Sequence, residues 1–186
     1  KSKADLAFTM HMLHHLRSDG TAAIVEFPGV LYRGGAEQKI RKYLIDNNYI
    51  DTVIQLPSDL FFGTGIGTCI IVLKKSKNDN KTLFIDASEE FVRGGNKNKL
   101  SEENILKILN VFMQREEVEH FSKLIDNKKL AENDYNLSIS SYVEQEDTRE
   151  IIDIKKLNKE ISEIVSKQSE LRNSIDKIVK DIEGGK

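Results

Sequence analysis

Two glycine-containing loops hold the residues of this 186-residue chain that are best suited to contact a ligand. The first loop contains Arg33, Gly34 and Gly35. Arginine binds phosphate through its planar guanidinium group, and glycine lets the backbone approach another group closely. If a helix begins at Gly35, its free backbone N–H groups and Arg33 together suit a phosphate group. A structural turn with a solvated arginine explains the same residues equally well.

The second loop runs from Phe61 to Thr68 and combines two aromatic residues with three glycines. Its Gly-x-Gly-x-Gly pattern is weak evidence for nucleotide binding, because the dinucleotide fingerprint opens a helix and this pattern precedes a predicted strand. The aromatic pair is more informative. Either both rings belong to the core, or Phe61 points into the core and Phe62 faces a ligand.

Three histidines share one sector of a predicted helix. His11, His14 and His15 are spaced i, i+3 and i+4, and such spacing can bind zinc. No His-Glu-x-x-His motif accompanies them, and no cysteine lies nearby in the sequence. We therefore expect these side chains to form polar cover on the helix, and we expect no metal site.

Apolar runs predict the sheet that would hold both loops. The runs at residues 22–27 and 53–56 flank an amphipathic helix, which is typical of a βαβ unit in a parallel sheet. The run at residues 69–73 follows a loop too short for a crossover helix, so we expect an antiparallel strand at the edge of the sheet. Ligands of open α/β sheets bind outside the carboxyl ends of the parallel strands. The loops at residues 28–35 and 57–67 should therefore line one rim.

Other periodic segments predict further elements. Residues 5–16 have two apolar faces, which is typical of a mostly buried helix. Residues 102–115 form an apolar stripe behind a good N-cap, which predicts a surface helix with one buried face. Lys39, Arg41 and Lys42 are expected on an exposed helix face. Short strands are expected at residues 82–87, 121–125 and 136–143, and an irregular loop at residues 91–100.

The C-terminal segment has a heptad pattern. Its seam repeats at spacings of three and four residues over four heptads, with one polar interruption at Gln168. So long a strict seam favours packing against long helices of a partner, with Gln168 setting the register. A helix that folds back on its own domain is the alternative. The seam consists of Ile154, Leu157, Ile161, Ile164, Gln168, Leu171, Ile175, Ile178 and Ile182.

Composition limits the classes of protein to consider. A hydrophobic content of 39% and a charged content of 31% suit a soluble globular protein. The single cysteine, Cys69, lies in an apolar run and is expected in the core, which fits a reducing cytoplasm. Residues 1–77 carry a net charge of +3 and residues 78–186 a net charge of −5. This balance excludes a strongly basic DNA-binding domain, so any contact with DNA is local.

Five blocks of sequence, in a fixed order, indicate a family. They read Ser-Lys-Ala-Asp-Leu-Ala-Phe at 2–8, Gly-Val-Leu-Tyr-Arg-Gly-Gly-Ala-Glu at 29–37, Lys-Ile-Arg at 39–41, Leu-Phe-Phe-Gly-Thr-Gly-Ile at 60–66 and Asn-Asp-Tyr-Asn-Leu-Ser-Ile-Ser at 133–140. These blocks resemble the second half of the N6-adenine DNA methyltransferase domain in the modification subunit of type I restriction–modification enzymes. The family's glycine-rich cofactor motif and its Asn-Pro-Pro-Phe catalytic motif do not occur in this sequence. We therefore expect a C-terminal piece of a longer enzyme.

The resemblance implies methyl transfer from S-adenosylmethionine to the N6 atom of adenine in DNA. Because the Asn-Pro-Pro-Phe motif would bind the reacting amino group, we expect no catalytic residue in this chain, no bound cofactor and no activity of the chain alone. An adenine flipped out of the duplex needs an aromatic face, and Phe62 best matches the aromatic residue of the family. Arg33, Gly34 and Gly35 are the candidates for contact with DNA or phosphate.

We predict an α/β fold, namely the C-terminal half of a Rossmann-like methyltransferase with parallel strands and an antiparallel edge strand, followed by a coiled-coil helix. The expected divisions are half of the sheet at 1–77, an α+β completion at 78–148 and a docking helix at 149–186. No apolar run approaches the roughly 20 residues of a membrane span, so we expect a cytoplasmic protein that is not bound to a membrane. The resemblance implies that its partners are DNA and a helical specificity subunit. A second modification subunit and a restriction subunit are further candidates. The alternative is a non-catalytic assembly module that binds a partner through its heptad helix.

Overall fold

A computed structural model describes residues 4–145 and 154–184 of the chain. The chain divides into two compact units, residues 1–146 and residues 147–186. The first unit is an α/β fold built on a mixed sheet, and the second contains one long helix. None of the described helices combines the length and apolar character that crossing a bilayer requires.

The first unit contains a five-stranded sheet and a separate hairpin. The strands of the sheet are β1 (Thr21–Glu26), β2 (Ile50–Gln55), β3 (Cys69–Lys74), β4 (Lys81–Asp86) and β7 (Ser122–Asp126), and those of the hairpin are β5 (Val92–Gly94) and β6 (Lys97–Lys99). The order in the sheet is β1-β3-β2-β4-β7. β2 and β4 run parallel, and the other neighbouring strands run antiparallel.

β3 lies inside the sheet, so the prediction that it forms an edge is wrong. It pairs antiparallel with β1 on one side and with β2 on the other. Cys69, Ile71, Val72 and Leu73 are all buried, which covers both faces of the strand. A continuous apolar run favours such a fully enclosed position. β1 forms the edge instead, and β3 is its only partner strand in the part of the chain that the structure describes.

Helices cover both faces of the sheet and confirm the predicted α/β class. They are α1 (Asp5–His15), α2 (Ala36–Asp46), α3 (Glu102–Gln114) and α4 (Asn127–Glu132). Leu13 of α1 and Leu44 of α2 belong to a core that includes Phe84 of β4. Ile108 and Val111 of α3 belong to a second core that includes other residues of β2 and β4. Each fully buried aliphatic side chain contributes about 1.5–3 kcal/mol to this packing.

Three local predictions differ from the structure. Residues 136–143 form no strand, because Ile139–Ser141 make a turn of 3-10 helix that buries Ile139. The loop expected at residues 91–100 contains the hairpin β5–β6. α1 buries one face only, because Phe8 on its other side is exposed to solvent.

The described part of the second unit contains helix α5, Ile154–Glu183, which is 30 residues long. At 1.5 Å per residue its length is about 45 Å. All described residues of this helix are exposed. The long C-terminal helix is therefore confirmed, whereas its membership in a coiled coil stays a prediction.

Candidate functional site

The ends of three strands define one rim of the sheet. Glu26 at the end of β1 and Gln55 at the end of β2 both pair with Cys69, the first residue of β3. Asp86 at the end of β4 pairs with Gln55. These four residues form a row across the sheet, and the two glycine-containing loops leave from its β1 and β2 positions. Ligands of open α/β sheets bind at such a rim.

Three buried titratable groups lie in this row, namely Glu26, Cys69 and Asp86. Burial raises the pKa of the Glu26 carboxyl above its usual range, although the hydroxyl of Thr9 donates a hydrogen bond to it at 2.8 Å and lowers the pKa in part. Burial also raises the pKa of the Cys69 thiol to about 12. A thiol with so high a pKa is a poor nucleophile at neutral pH. Cys69 therefore acts as a small core residue, as its apolar neighbours predict.

In the first loop, the backbone at the two glycines is unobstructed, whereas the side chain of Arg33 already has partners. Gly35 precedes α2 with a φ angle of 71°, a region that favours glycine. A Cβ atom on Gly34 or Gly35 would meet no heavy atom within 4 Å. Arg33 Nη1, however, lies 3.6 Å from Glu37 Oε1, and its guanidinium lies over the Phe27 ring. A phosphate at Arg33, Gly34 and Gly35 stays a prediction, and it would compete with the Glu37 carboxylate.

Arg41 anchors the same loop, so the prediction that it lies on an exposed face is wrong. Only 2% of this residue is exposed. Its Nη1 donates to the carbonyl oxygens of Val30 and Arg33, and its Nε donates to that of Tyr135, at 2.7–2.8 Å. Burial lowers the pKa of its guanidinium from the usual value. One buried cation thus fastens the first loop to α2 and to a distant segment.

The second loop holds Phe62 at full exposure. The backbone N–H of Leu56 donates to the carbonyl of Thr68 at 2.8 Å and closes the base of the loop. Phe62 is 96% exposed, and the next residue, Gly63, has a φ angle of 81°. Phe61 is 39% exposed and belongs to neither core, so the expectation that it points into the core is wrong. The ring of Phe62 therefore presents its faces to solvent.

The sequence analysis missed residues that hold this second loop. Asn98 and Lys97 of the hairpin β5–β6 donate hydrogen bonds to carbonyl oxygens of Ser58 and Thr64, each at 2.9 Å. The Gly95-Asn96 pair between two short segments is a hairpin signal. That signal could have identified the hairpin, but it does not show what the hairpin contacts.

The three histidines of α1 form a cluster of rings. The centroids of His11 and His15 are 4.6 Å apart, and those of His14 and His15 are 5.0 Å apart, both in edge-on arrangements. All three side chains are exposed. Within residues 4–145 and 154–184, no group of three or more His, Cys, Asp or Glu side chains is placed to hold a metal ion.

The heptad seam forms an exposed apolar stripe along α5. Its eight apolar members are 45–73% exposed, the lowest value belonging to Leu157 and the highest to Ile182. Val165 and Val179, which widen the seam, are also exposed. An isolated helix gains nothing from such a stripe, whereas a helical partner would bury it.

Comparison with protein families identifies the first unit. The sequence pattern of the family described as N-6 DNA Methylase matches residues 1–151 of this chain. The methylase subunit of the type I restriction enzyme MpnII of Mycoplasma pneumoniae is 51% identical over 182 residues, which are 97% of this chain and 34% of that protein. The methylase subunit of the MjaVII enzyme of Methanocaldococcus jannaschii is 37% identical over 99% of this chain and 32% of its own length.

A solved structure agrees with these sequence relatives. The methyltransferase subunit of a type I restriction–modification system from Streptococcus thermophilus superposes with a TM-score of 0.76 at 48% identity. The match covers 77% of this chain and 31% of that protein. The chain therefore spans about a third of the length of the relatives that it matches.

Proposed function

This chain belongs to the N-6 DNA methylase family, and we propose that it forms the target-base side of an N6-adenine DNA methyltransferase of the type I restriction–modification class. The observation that carries this proposal is the position of Phe62. Its ring is fully exposed on a loop that leaves the carboxyl-end rim of the sheet, where ligands of α/β folds bind.

An exposed phenyl ring at this rim suits a base taken out of the DNA duplex. An enzyme that modifies a base inside a duplex must extrude it and offset part of the lost stacking. Stacking on an aromatic side chain is worth about 1–3 kcal/mol per base. Phe62 supplies such a face, and the hydrogen bond from Leu56 to Thr68 closes the base of its loop.

The free edge of β1 is where we propose that the sheet continues. The relatives are about three times as long as this chain. A neighbouring strand of the whole protein would bring its catalytic motif to the rim beside Glu26. We infer that Rossmann-like character belongs to the completed sheet, with the chain supplying its C-terminal part.

We propose that the residues described at the rim form no cofactor site of their own. Glu26 already accepts the hydroxyl of Thr9, and Gly63 and Gly65 lie in the Phe62 loop, away from any helix start. S-adenosylmethionine would supply the methyl group in the whole enzyme, and we propose that other parts of that enzyme bind it. The 186-residue chain alone should transfer no methyl group, and labelled methyl incorporated into adenine by the purified chain would contradict this.

The proposal is tested by replacing Phe62 in the full-length enzyme with its partner subunits. Phe62→Ala should lower the rate of adenine methylation roughly 5- to 150-fold, the loss that corresponds to one stacking interaction. The melting temperature should not change, because the ring makes no core contact. Phe62→Trp, which keeps an aromatic face, should retain most of the activity.

Tyr43→Ala is the matched control. Tyr43 is an exposed aromatic residue of α2 and contacts Tyr49, which lies next to the amino end of β2, opposite the rim. Its replacement should leave methylation near the level of the unmodified enzyme. Equal activities of Phe62→Ala and Tyr43→Ala would show that Phe62 does not receive the base.

A second candidate function is assembly through α5. We propose that the seam from Ile154 to Ile182 docks into the helices of a specificity subunit, with DNA, a second modification subunit and a restriction subunit as further partners. The exposed apolar stripe supports this proposal. The two functions are compatible, because one uses the rim of the sheet and the other uses the C-terminal helix.

A further inference from the structure

We propose that the hairpin β5–β6 is a clamp that fixes the conformation of the Phe62 loop, with Asn98 as its positioning residue. The proposal rests on the function assigned to Phe62 above. The proposed clamp follows from the hydrogen bonds that join two segments about 35 residues apart.

Asn98 is the centre of the contact. Only 3% of it is exposed, and each of its polar side-chain atoms has a partner. Its Nδ2 donates to the carbonyl of Ser58 at 2.9 Å, and its backbone N–H donates to the carbonyl of Asp59 at 3.0 Å. Its Oδ1 accepts from Arg93 Nη1 at 3.1 Å, which fixes the orientation of the amide.

Lys97 holds the other side of the loop. Its Nζ donates to the carbonyl of Thr64 at 2.9 Å and lies 3.6 Å from Asp59 Oδ1. Ser58 and Asp59 precede Phe62, whereas Thr64 follows it. The hairpin therefore binds both flanks of the segment that carries the ring, which leaves the tip exposed but restricts its backbone.

The hairpin is itself fastened to the core. Ser101 caps α3 two residues after the end of β6, and Asn104 completes a capping box with it. Glu90 lies just before β5. Its Oε2 accepts a hydrogen bond from Asn104 Nδ2 at 3.1 Å, and the same carboxylate forms an ion pair with Lys107. Both ends of the hairpin are thus tied to the first turns of α3, whose later residues are buried against the sheet.

The physical consequence is pre-organisation. A base that stacks on a ring already held in place avoids the entropy cost of ordering the loop when DNA binds. The backbone strain at Asp59, whose φ angle is 55°, also needs fixed partners to persist. Loss of the clamp should therefore weaken base capture while Phe62 itself remains present.

Hydrogen–deuterium exchange of the full-length enzyme tests the clamp without reference to catalysis. Asn98→Ala should accelerate exchange of the amides at residues 58–67 roughly tenfold, because local opening becomes easier when buried hydrogen bonds are removed. Lys97→Met, which keeps the aliphatic stem, should accelerate the same amides by a smaller factor. Asn96→Ala, an exposed residue of the same hairpin turn, is the matched control and should change nothing.

A double-variant comparison tests whether the clamp acts through Phe62. Asn98→Ala should lower methylation roughly 5- to 10-fold, and adding it to Phe62→Ala should cause no further loss. Unchanged exchange at residues 58–67 would overturn the clamp, whatever Phe62 does. Additive losses in the double variant would show that Asn98 does not act through Phe62. If Phe62→Ala is silent while exchange still accelerates, the base-stacking function fails and the hairpin remains only a structural support.

Discussion

At the residue scale, the side chains in and near the rim of the sheet differ in whether they are free to contact a ligand. Glu26, Cys69 and Arg41 are buried and already have partners among the atoms of the first unit. Phe62 is exposed and touches neither core. Phe62 therefore offers a free aromatic face on a loop that leaves this rim, which is why the proposed function depends on this ring more than on any charged group.

Glu26 gives a pH-dependent prediction at this scale. Its pKa is raised in the folded state by burial, so the folded protein binds this proton more tightly than the unfolded chain does. Its contribution to stability is therefore largest at acidic pH and decreases as the pH rises above the usual carboxyl pKa of 4.5. Glu26→Gln stays neutral and can still accept from Thr9, so its melting temperature at pH 8 should exceed that of the unmodified protein.

The difference between the two proteins should shrink toward pH 4, where both side chains are neutral. Thermal unfolding followed by circular dichroism at pH 4, 6 and 8 measures it. Glu132→Gln, at an exposed position in α4, is the control and should give little difference at any pH. A Glu26→Gln effect of equal size at pH 4 and pH 8 would contradict the assignment of a buried, costly charge.

At the element scale, α5 exposes an apolar stripe to water, and a partner helix would bury it. We expect Ile161→Asp combined with Ile175→Asp to abolish binding to the specificity subunit, because two charges would enter the buried seam. Methylation by the assembled enzyme should then fall only as assembly falls. Co-purification and analytical ultracentrifugation of the variant with its partner subunit measure the effect.

Ser166→Asp combined with Asn173→Asp supplies the matched control. Both positions lie on the side of α5 opposite the seam and add the same number of charges. This control should assemble normally. Normal assembly of the seam variant, or equal loss in both variants, would show that the seam is not the docking surface.

The individual strands show which parts of the fold could be predicted from the sequence. The apolar runs predicted β1, β2, β3 and β4, because a short run of apolar residues in the local sequence indicates a buried strand. The enclosed position of β3 was missed although its continuous apolar run favours it, because the pairing order depends on contacts between strands that are far apart in the sequence. The hairpin β5–β6 was not predicted, because its strands have three residues each and are mostly polar.

Side-chain burial was the harder part to predict within these elements. Arg41 stands between two lysines in a segment that looks exposed, yet the carbonyl groups that hold it come from Val30, Arg33 and Tyr135. No pattern near Arg41 contains that information. The same holds for Asn98, whose partners in the Phe62 loop lie about 40 residues away.

At the scale of the whole molecule, we propose that the chain provides surfaces rather than a complete reaction centre. It spans about a third of its relatives, and β1 has one free edge within the described residues. Its net charge of −2 gives no general attraction to DNA. In the proposed function, the rim receives a base while the clamp holds the Phe62 loop, and the apolar stripe of α5 binds a partner.

Photo-cross-linking tests the central claim that Phe62 receives the target base. The full-length enzyme, assembled with its subunits, is irradiated on DNA that carries 5-iodouracil in place of the target adenine, and the adduct is mapped by mass spectrometry. We predict an adduct on Phe62, which disappears in Phe62→Ala and weakens in Asn98→Ala. An adduct that maps outside residues 57–68, with a yield that Phe62→Ala does not change, would contradict the account.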